Sequence, residues 1–577
     1  MNALHSKLAA TSVLAILVSC ASAVPSYTQQ VPAAPQAYTV AGTVVNSVTG
    51  AALARVQVSL ADTRERMRRV ETITTDNGHF EFTGVPAGKY SLQGSRSGYL
   101  TAAYEQHEQY STAIVTGPDF ATDKLILRLM PMAMIAGHIL DESGEPVRQA
   151  HVQLFMEDHS GGLNRVVSAG GAQSDDRGYF DIGVLRPGTY FVSASGKPWY
   201  AIHPVARHAS ANAATELPET DDTSNKIAPG LDVSYPTTFY GGATEAENAA
   251  PVQLGAGERQ EIEIRLSPVP SLHFRVHVPV REVETDLGGQ GKMVDMPRQY
   301  PLLQKRQFGA TQTVRPGGMQ IVAPGVWEVF GVPAGRYELM LKTENANGVP
   351  LSDPDQVSEV NLTQNGQDLG EARGEELGRL KITLKMPDVE PLPRQYAIGL
   401  RDAHLRIVAF RPGNANGETV LEGIRPGKYG IALGTQGKPY VVTRVVSAAG
   451  ASTGNTVDVA AGSSAEVTAE LTGGDTRIEG VAQKNGKPVA GVMVALIPND
   501  PNANVDLLRR DQSDFDGTFS LRGVVPGAYT VVAVEDAWGF DWMKPGVLAR
   551  YAQHGQQVLV GDKRVVRLPL PVEVQPK

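Results

Sequence analysis

One thirteen-residue pattern occurs five times in the chain: a Gly, then twelve positions later a Tyr, with a Pro/Gly turn just before the Tyr. The copies are GHFEFTGVPAGKY (Gly78 to Tyr90), GYFDIGVLRPGTY (Gly178 to Tyr190), GVWEVFGVPAGRY (Gly325 to Tyr337), GETVLEGIRPGKY (Gly417 to Tyr429) and GTFSLRGVVPGAY (Gly517 to Tyr529). Self-similarity of this kind marks one supersecondary unit used in tandem. In the first copy Phe80 and Phe82 alternate with His79 and Glu81, and Tyr90 alternates with Leu92 after the turn, so the segment reads as a β-hairpin with one apolar face. Pro presets φ and Gly accepts positive φ, so Pro-Gly suits a type II turn and Pro-Ala-Gly a type I turn. The Tyr reads as a corner residue of a Greek-key sandwich, its ring at the core edge and its hydroxyl on nearby backbone.

Upstream of three copies lies a second recurring element: GTVVNSVTGAALARVQVSL from Gly42, GHILDESGEPVRQAHVQLF from Gly137 and GVAQKNGKPVAGVMVALIP from Gly480. Each reads as a strand, a polar turn and an alternating strand. Closing strands ending in proline follow, at Pro131, Pro268 and Pro571. Proline cannot donate to a ladder and suits a sheet exit. The pieces supply roughly seven short strands per unit, the count of a small sandwich. The series of Gly, short turn, P-V-x-x-A/G-x-V-x-L, then S/T-D-x-x-G-x-F and P-x-G-x-Y resembles the carboxypeptidase regulatory-like domain, a transthyretin-like (prealbumin-like) sandwich of exported bacterial proteins. The first, second and fifth units match well, while the third and fourth keep mainly the hairpin. The resemblance implies a fold rather than an activity, since related sandwiches act as stability modules, carbohydrate-binding-like modules, adhesion stalks and receptor plugs.

With 577 residues the chain is too long for one core and agrees with five domains of roughly 100 residues each. Abundant glycine and proline, 60 and 38 residues, and the lack of long helical periodicity favour an all-β tandem array. The expected division is a signal peptide at 1–23, a Pro/Ala/Gln linker at 24–37, sandwiches at 38–131 and 132–269, degenerate sandwiches at 270–370 and 371–474, and a complete one at 475–577. The second is enlarged by a polar excursion near Arg207 to Gly230, and the third by an insertion around Val283 to Gln307. In the fourth, Thr419 stands where the first, second and fifth carry Phe, so other residues must fill its core.

Lys7 followed by the apolar run Leu8 to Val18 reads as an export signal, too short to span a membrane. Leu17-Val18-Ser19-Cys20 resembles a lipobox that would lipidate Cys20, and Ala21-Ser22-Ala23 is an ordinary signal-peptidase site. Both routes stay open. Cys20 is the chain's single cysteine, so no intramolecular disulfide is available to the sandwiches. The net charge of −9, without a basic stripe, argues against nucleic acid. The cluster Arg64, Arg66, Arg68 and Arg69 reads as a solvated face.

Nine residues after the corner Tyr three units carry an aromatic: Tyr99, Trp199 and Trp538. Trp538, Phe540 and Trp542 form a cluster, and Trp199 precedes Tyr200. Exposed rings beside carboxylates stack on sugar C–H faces, so these five residues are the candidate ligand site. The competing expectation is an apolar plug at the end of each sandwich. The acidic turn Asp511 to Gly517 fails as an EF-hand, because Phe515 falls on a ligand position and the closing Glu is missing. Its counterparts Asp76-Asn77-Gly78 and Asp175-Asp176-Arg177-Gly178 read as Asx turns. His273 and His277 share one strand face, and His203 and His208 lie in a polar loop; neither pair has a third ligand at convincing spacing. Gly288 to Lys292 lacks the Ser/Thr of a phosphate loop. No catalytic set, cofactor or metal site is expected.

The expected function is that of a non-enzymatic exported envelope protein, periplasmic, on the outer-membrane surface or extracellular. It would project as a string of sandwiches that binds or scaffolds polysaccharide or another surface polymer. The alternative is a purely structural spacer or assembly partner, pairing with other envelope proteins through sheet edges. Membrane contact would come only through a lipid at Cys20.

Overall fold

The computed structural model describes residues 37–577 apart from 66–67, 204–228, 279–282, 286–292, 296–297, 345–349, 353–355, 372–373, 387–390, 449, 501–504 and 545. The signal segment, the linker to residue 36, Cys20, His208, the excursion up to residue 228 and the Gly288 segment therefore lie outside the described residues.

The first unit shows how the repeated sequence folds. Its strands are β1 (Ala37–Asn46), β2 (Gln57–Asp62), β3 (Arg69–Ile73), β4 (His79–Pro86), β5 (Gly88–Ser95), β6 (Ala102–Ala103), β7 (Ile114–Thr116) and β8 (Leu125–Leu129). One sheet runs β4-β1-β8 and the other β3-β2-β5-β6, with β7 also against β5. Alternation aims Phe80, Phe82, Leu92, Leu127 and their neighbours into the space between the sheets, where they form one buried cluster. β1 is antiparallel to β4 but parallel to β8, a pairing that only a crossover connection can give.

This topology corrects the hairpin expectation. β4 pairs with β1 and β5 pairs with β2, so the Pro/Gly turn is an arch between opposite sheets; the β1–β2 connection is another. Alternation tells which side chains point inward and is blind to whether two consecutive strands are bonded. What moves the chain across is a bulge in β4, where the register with β1 slips and Gly84 takes φ 74°. Immediately after it the Tyr90 hydroxyl donates to the Pro86 carbonyl at 3.1 Å.

Every copy repeats this corner. Tyr190, Tyr337, Tyr429 and Tyr529 donate to the carbonyl four residues upstream, on Arg186, Pro333, Arg425 and Val525, at 2.7–2.9 Å. All five rings are buried. The turn glycines Gly188, Gly335, Gly427 and Gly527 sit near extended backbone at φ 157–159°, not near the roughly +80° of a type II turn. Their smallness matters for another reason: a Cβ on Gly527 would lie 3.2 Å from the Tyr529 ring that folds back over the turn.

At the bulge, four units place Gly with φ 68–74°, whereas the second places Val184 with φ 61°. There the glycine stands one position early, at Gly183. A β-branched residue in this region is strained by about 1–2 kcal/mol, which exceeds the entropy cost of a new glycine. Val184 is exposed, so no packing is lost. Val184→Gly is therefore expected to stabilise the second unit by about 1 kcal/mol, read as a rise in its thermal midpoint; a lower midpoint would refute the strain.

The other four units repeat the parallel pairing of the opening strand with a late one: Ala133–Leu140 with Arg259–Arg265, Leu272–His277 with Gln367–Glu371, Gly378–Lys385 with Ser464–Gly473, and Thr476–Lys484 with Val565–Arg567. Each encloses its own apolar cluster. In the last unit Val572–Gln575 pairs with strands of both sheets and joins them along one edge. The third unit departs from expectation: Arg298–Gln307 is not part of an insertion but a strand between Gly335–Glu344 and Ala310–Val314. Its polar run Gln304 to Gln307 hid an alternation in which Leu303 is the buried anchor. In the fourth, Thr419 is buried and Leu421, Tyr396 and Tyr440 supply the bulk.

Candidate binding cleft

The units do not form an extended string. The first packs on the fifth, about 400 positions away in sequence, through the segment expected to be a plain turn. Gln512 Nε2 donates to the Glu105 carbonyl at 2.7 Å and to Thr112 Oγ1 at 2.8 Å. The Phe515 amide donates to the Ala113 carbonyl at 3.0 Å, and the Ala113 amide returns a bond to Asp514 at 3.1 Å. Lys89 Nζ reaches Asp514 at 2.6 Å and Asp516 at 3.3 Å and also bonds Thr518. The acidic turn thus spends its oxygens on a lysine of another unit and on its own backbone. By contrast Asp175 caps its own turn, accepting the Arg177 and Tyr179 amides as an Asx turn does.

The aromatic cluster belongs to the same junction. Trp538 is half-buried, with His107 of the first unit stacked on it at 4.9 Å and 6° and Tyr110 at 5.7 Å. Arg510, 9% exposed, pairs with Glu108 at 2.7 Å and lies over Trp542 at 3.9 Å and Tyr110 at 5.4 Å. Phe540 stacks on Tyr551 within the fifth unit. The second unit closes in from the other side: the Asn164 amide donates to Asp541 at 2.7 Å, and a Cβ on Gly162 would strike the Trp542 ring.

Trp199 and Tyr200 lie elsewhere. Trp199 is 82% exposed and meets Tyr200 edge-on at 5.8 Å. Tyr200 and Tyr235 both donate to Glu142, and burial together with that carboxylate pushes Tyr200 up to about 12. Tyr99 packs on the first core and receives a bond from Asn46. The same offset from the corner Tyr thus leads to three environments: core edge, open solvent and a junction.

Between the first, second, fourth and fifth units lies an open cleft of about 1950 Å³. Eleven Lys and Arg residues and five Asp and Glu line it, in a chain whose net charge is −9. Several of these cations are already bound: Arg401 to Asp506 at 2.8 Å, Lys438 to Asp475 at 2.6 Å, Arg477 to Glu479 at 2.7 Å. Arg64, Arg165, Arg509 and Arg522 have no carboxylate partner among the described residues. Arg165 and Arg509 spend their donors on the carbonyls of Leu405 and Gly523 instead. Burial holds Arg509 below the usual guanidinium range, and the nearby Asp506 charge offsets this only in part. On the same wall, burial raises the Asp511 carboxyl to about 6, although it accepts the Ser520 amide at 2.6 Å. The solvated basic face around Arg64 and Arg69 therefore forms one lip of this cleft.

Such a wall offers fixed positive charge and fork-shaped donors to a long anionic ligand. Composition could not reveal it, because the arginines come from four separate units and meet only once those units are packed.

Residues 39–116 match the carboxypeptidase regulatory-like domain. The match covers the first sandwich, so the resemblance in its motifs holds there. No curated protein matches the chain. Among solved structures, a Bacillus anthracis protein described as TIE is 11% identical over 76% of this chain and 75% of its own, with a TM-score of 0.16. A streptococcal ancillary pilin is 12% identical over 59% and 99%, TM-score 0.19, and BcpA, the major pilin subunit of Bacillus cereus, 12% over 76% and 99%, TM-score 0.13. With scores this low, none of the three constrains what this chain does. Among the described residues no helix is long and apolar enough to cross a membrane.

Proposed function

We propose that this is a non-enzymatic exported protein of the cell envelope whose five domains, dividing at residues 131, 269, 370 and 474, fold back on one another to hold an acidic surface polymer in the cleft. The observation that carries the reading is the excess of cationic over acidic residues along that cleft, four arginines of which have no carboxylate partner among the described residues. A polyanion spanning it would satisfy guanidinium groups contributed by several units at once, and so would also brace the assembly. The exposed Trp199 supports a second reading, in which a neutral sugar stacks on that ring outside the cleft.

Dextran sulfate and uncharged dextran separate these readings, because sulfate stays ionised while Asp511 titrates. Wild type is expected to bind the sulfated polymer only, at least tenfold more weakly in the Arg64→Glu and Arg522→Glu double variant. Binding should tighten as pH falls from 7.5 to 5, since protonation removes the Asp511 charge from the wall. Equal binding of both polymers, abolished by Trp199→Ala alone, would replace the cleft with the ring. No binding of either would leave the domains as a structural spacer.

A further inference from the structure

His203 and His273, separated by 70 residues and assigned no partner by their spacing, converge on one carboxylate where the second unit meets the third. The backbone brings them there. The Ile202 amide donates to the Leu231 carbonyl at 2.8 Å, fixing His203 beside Asp232, and the Ser271 amide donates to the Asp232 carbonyl at 2.9 Å. Val233–Ser234 then pairs with Val269–Pro270, and His273 is the second residue of the strand Leu272–His277, its amide held by Asn365 at 2.8 Å. His203 Nδ1 lies 2.9 Å from Asp232 Oδ1, His273 Nε2 lies 2.8 Å from Oδ2, and the three donor atoms fall within 4.8 Å of one another.

We propose that His203, Asp232 and His273 bind one divalent transition-metal ion, zinc by the nature of the donors, which locks the second sandwich to the third. Two imidazole nitrogens and one carboxylate oxygen are a zinc donor set, leaving a fourth position for water. With bonds of 2.0–2.1 Å the edge of the tetrahedron is about 3.4 Å, so the two nitrogen–oxygen pairs, each to a different oxygen of Asp232, open by about half an ångström, and the widest separation among the three donors, within 4.8 Å, closes toward that edge as the side chains turn onto the ion. The space is built around the rings. Phe330 lies 5.8 Å from the His203 ring and 5.9 Å from that of His273, an apolar wall on both. A Cβ on Gly317 or Gly331 would fall 2.5 or 2.7 Å from His203 Nε2, so glycine at both places leaves the room that the imidazole occupies. The side chains of all three are 10–16% exposed, enough for an ion to enter and little enough for it to be held. The site lies outside the cleft, and its outcome is independent of polymer binding.

The test is chelator-stripped protein dialysed against 10 µM free zinc. Wild type is expected to retain one zinc per chain, and its midpoint of unfolding should rise on adding zinc. Asp232→Asn keeps the shape of the site and removes its charge; it and His273→Gln are expected to retain less than a tenth of an equivalent and to show no rise. With cobalt in place of zinc, wild type should give the visible absorption of a four-coordinate ion. No retained metal in wild type, or equal retention in a correctly folded Asp232→Asn, would show that the three residues are a hydrogen-bonded clamp and overturn the proposal.

Discussion

Truncating Arg510 to alanine is expected to release the fifth sandwich from the first. The guanidinium is almost fully buried, pairs with Glu108 through two nitrogens at 2.7 and 3.3 Å, and lies against Tyr110, Trp538 and Trp542. Removing it would strand the Glu108 carboxylate, only 13% exposed, and open a hole between three rings. Breaking a buried pair in this way costs about 3–5 kcal/mol. The remaining junction bonds, through Gln512, Ala113 and Lys89, are individually worth about 1 kcal/mol and cannot replace it. Small-angle scattering should show a larger maximum dimension for the variant. Because Arg510 also sits on a strand of its own unit, Glu108→Gln is the cleaner probe: it removes the charge from the other side and should give a smaller expansion of the same kind. An unchanged scattering profile in both would mean that other contacts hold the junction.

Gly137→Val is expected to unfold the second sandwich while leaving the others standing. A Cβ at Gly137 would lie 1.9 Å from the Ile262 carbonyl oxygen, in the parallel strand that closes the unit. The obstacle is backbone, which has no rotamer to give way, so the whole pairing of Ala133–Leu140 with Arg259–Arg265 must shift. Overpacking costs about 1–3 kcal/mol and more in the worst cases, and an obstacle made of backbone puts this variant at the upper end. Since each unit has its own buried cluster, hydrogen exchange should accelerate across the second unit, with protection retained beyond Gly378. Uniform loss of protection over the chain would show that the five cores unfold as one. Gly42→Val should do the same to the first unit, where the clash is 2.1 Å from the Leu125 carbonyl oxygen.

Both variants touch features that differ in how well the sequence announces them. Gly42 and Gly137 open matching motifs, and the repetition itself points to a local demand, although the clash partner is invisible before folding. Arg510 lies in no motif. Spacing puts the Trp538 cluster at the end of a sandwich or before a sugar, whereas the fold packs Trp538 between two units, under His107 and Tyr110. Phe515, which breaks the EF-hand pattern of the acidic turn, packs against the first unit beside Phe120. Spacing offers His203 and His273 no third ligand, because Asp232 lies 29 residues beyond one and 41 before the other.

The sequence by itself determined the sandwich, its fivefold use, the corner tyrosines and the backbone positions that only glycine fills easily. These follow from strand alternation, φ limits and a hydrogen bond spanning four residues, all of which act over one turn of chain. Tertiary structure alone decided that consecutive strands lie in opposite sheets, that the last unit returns to the first, and that arginines of four units share one cleft. Those outcomes depend on which finished surfaces fit together, and surface fit is a property of folded bodies that no short stretch of residues carries.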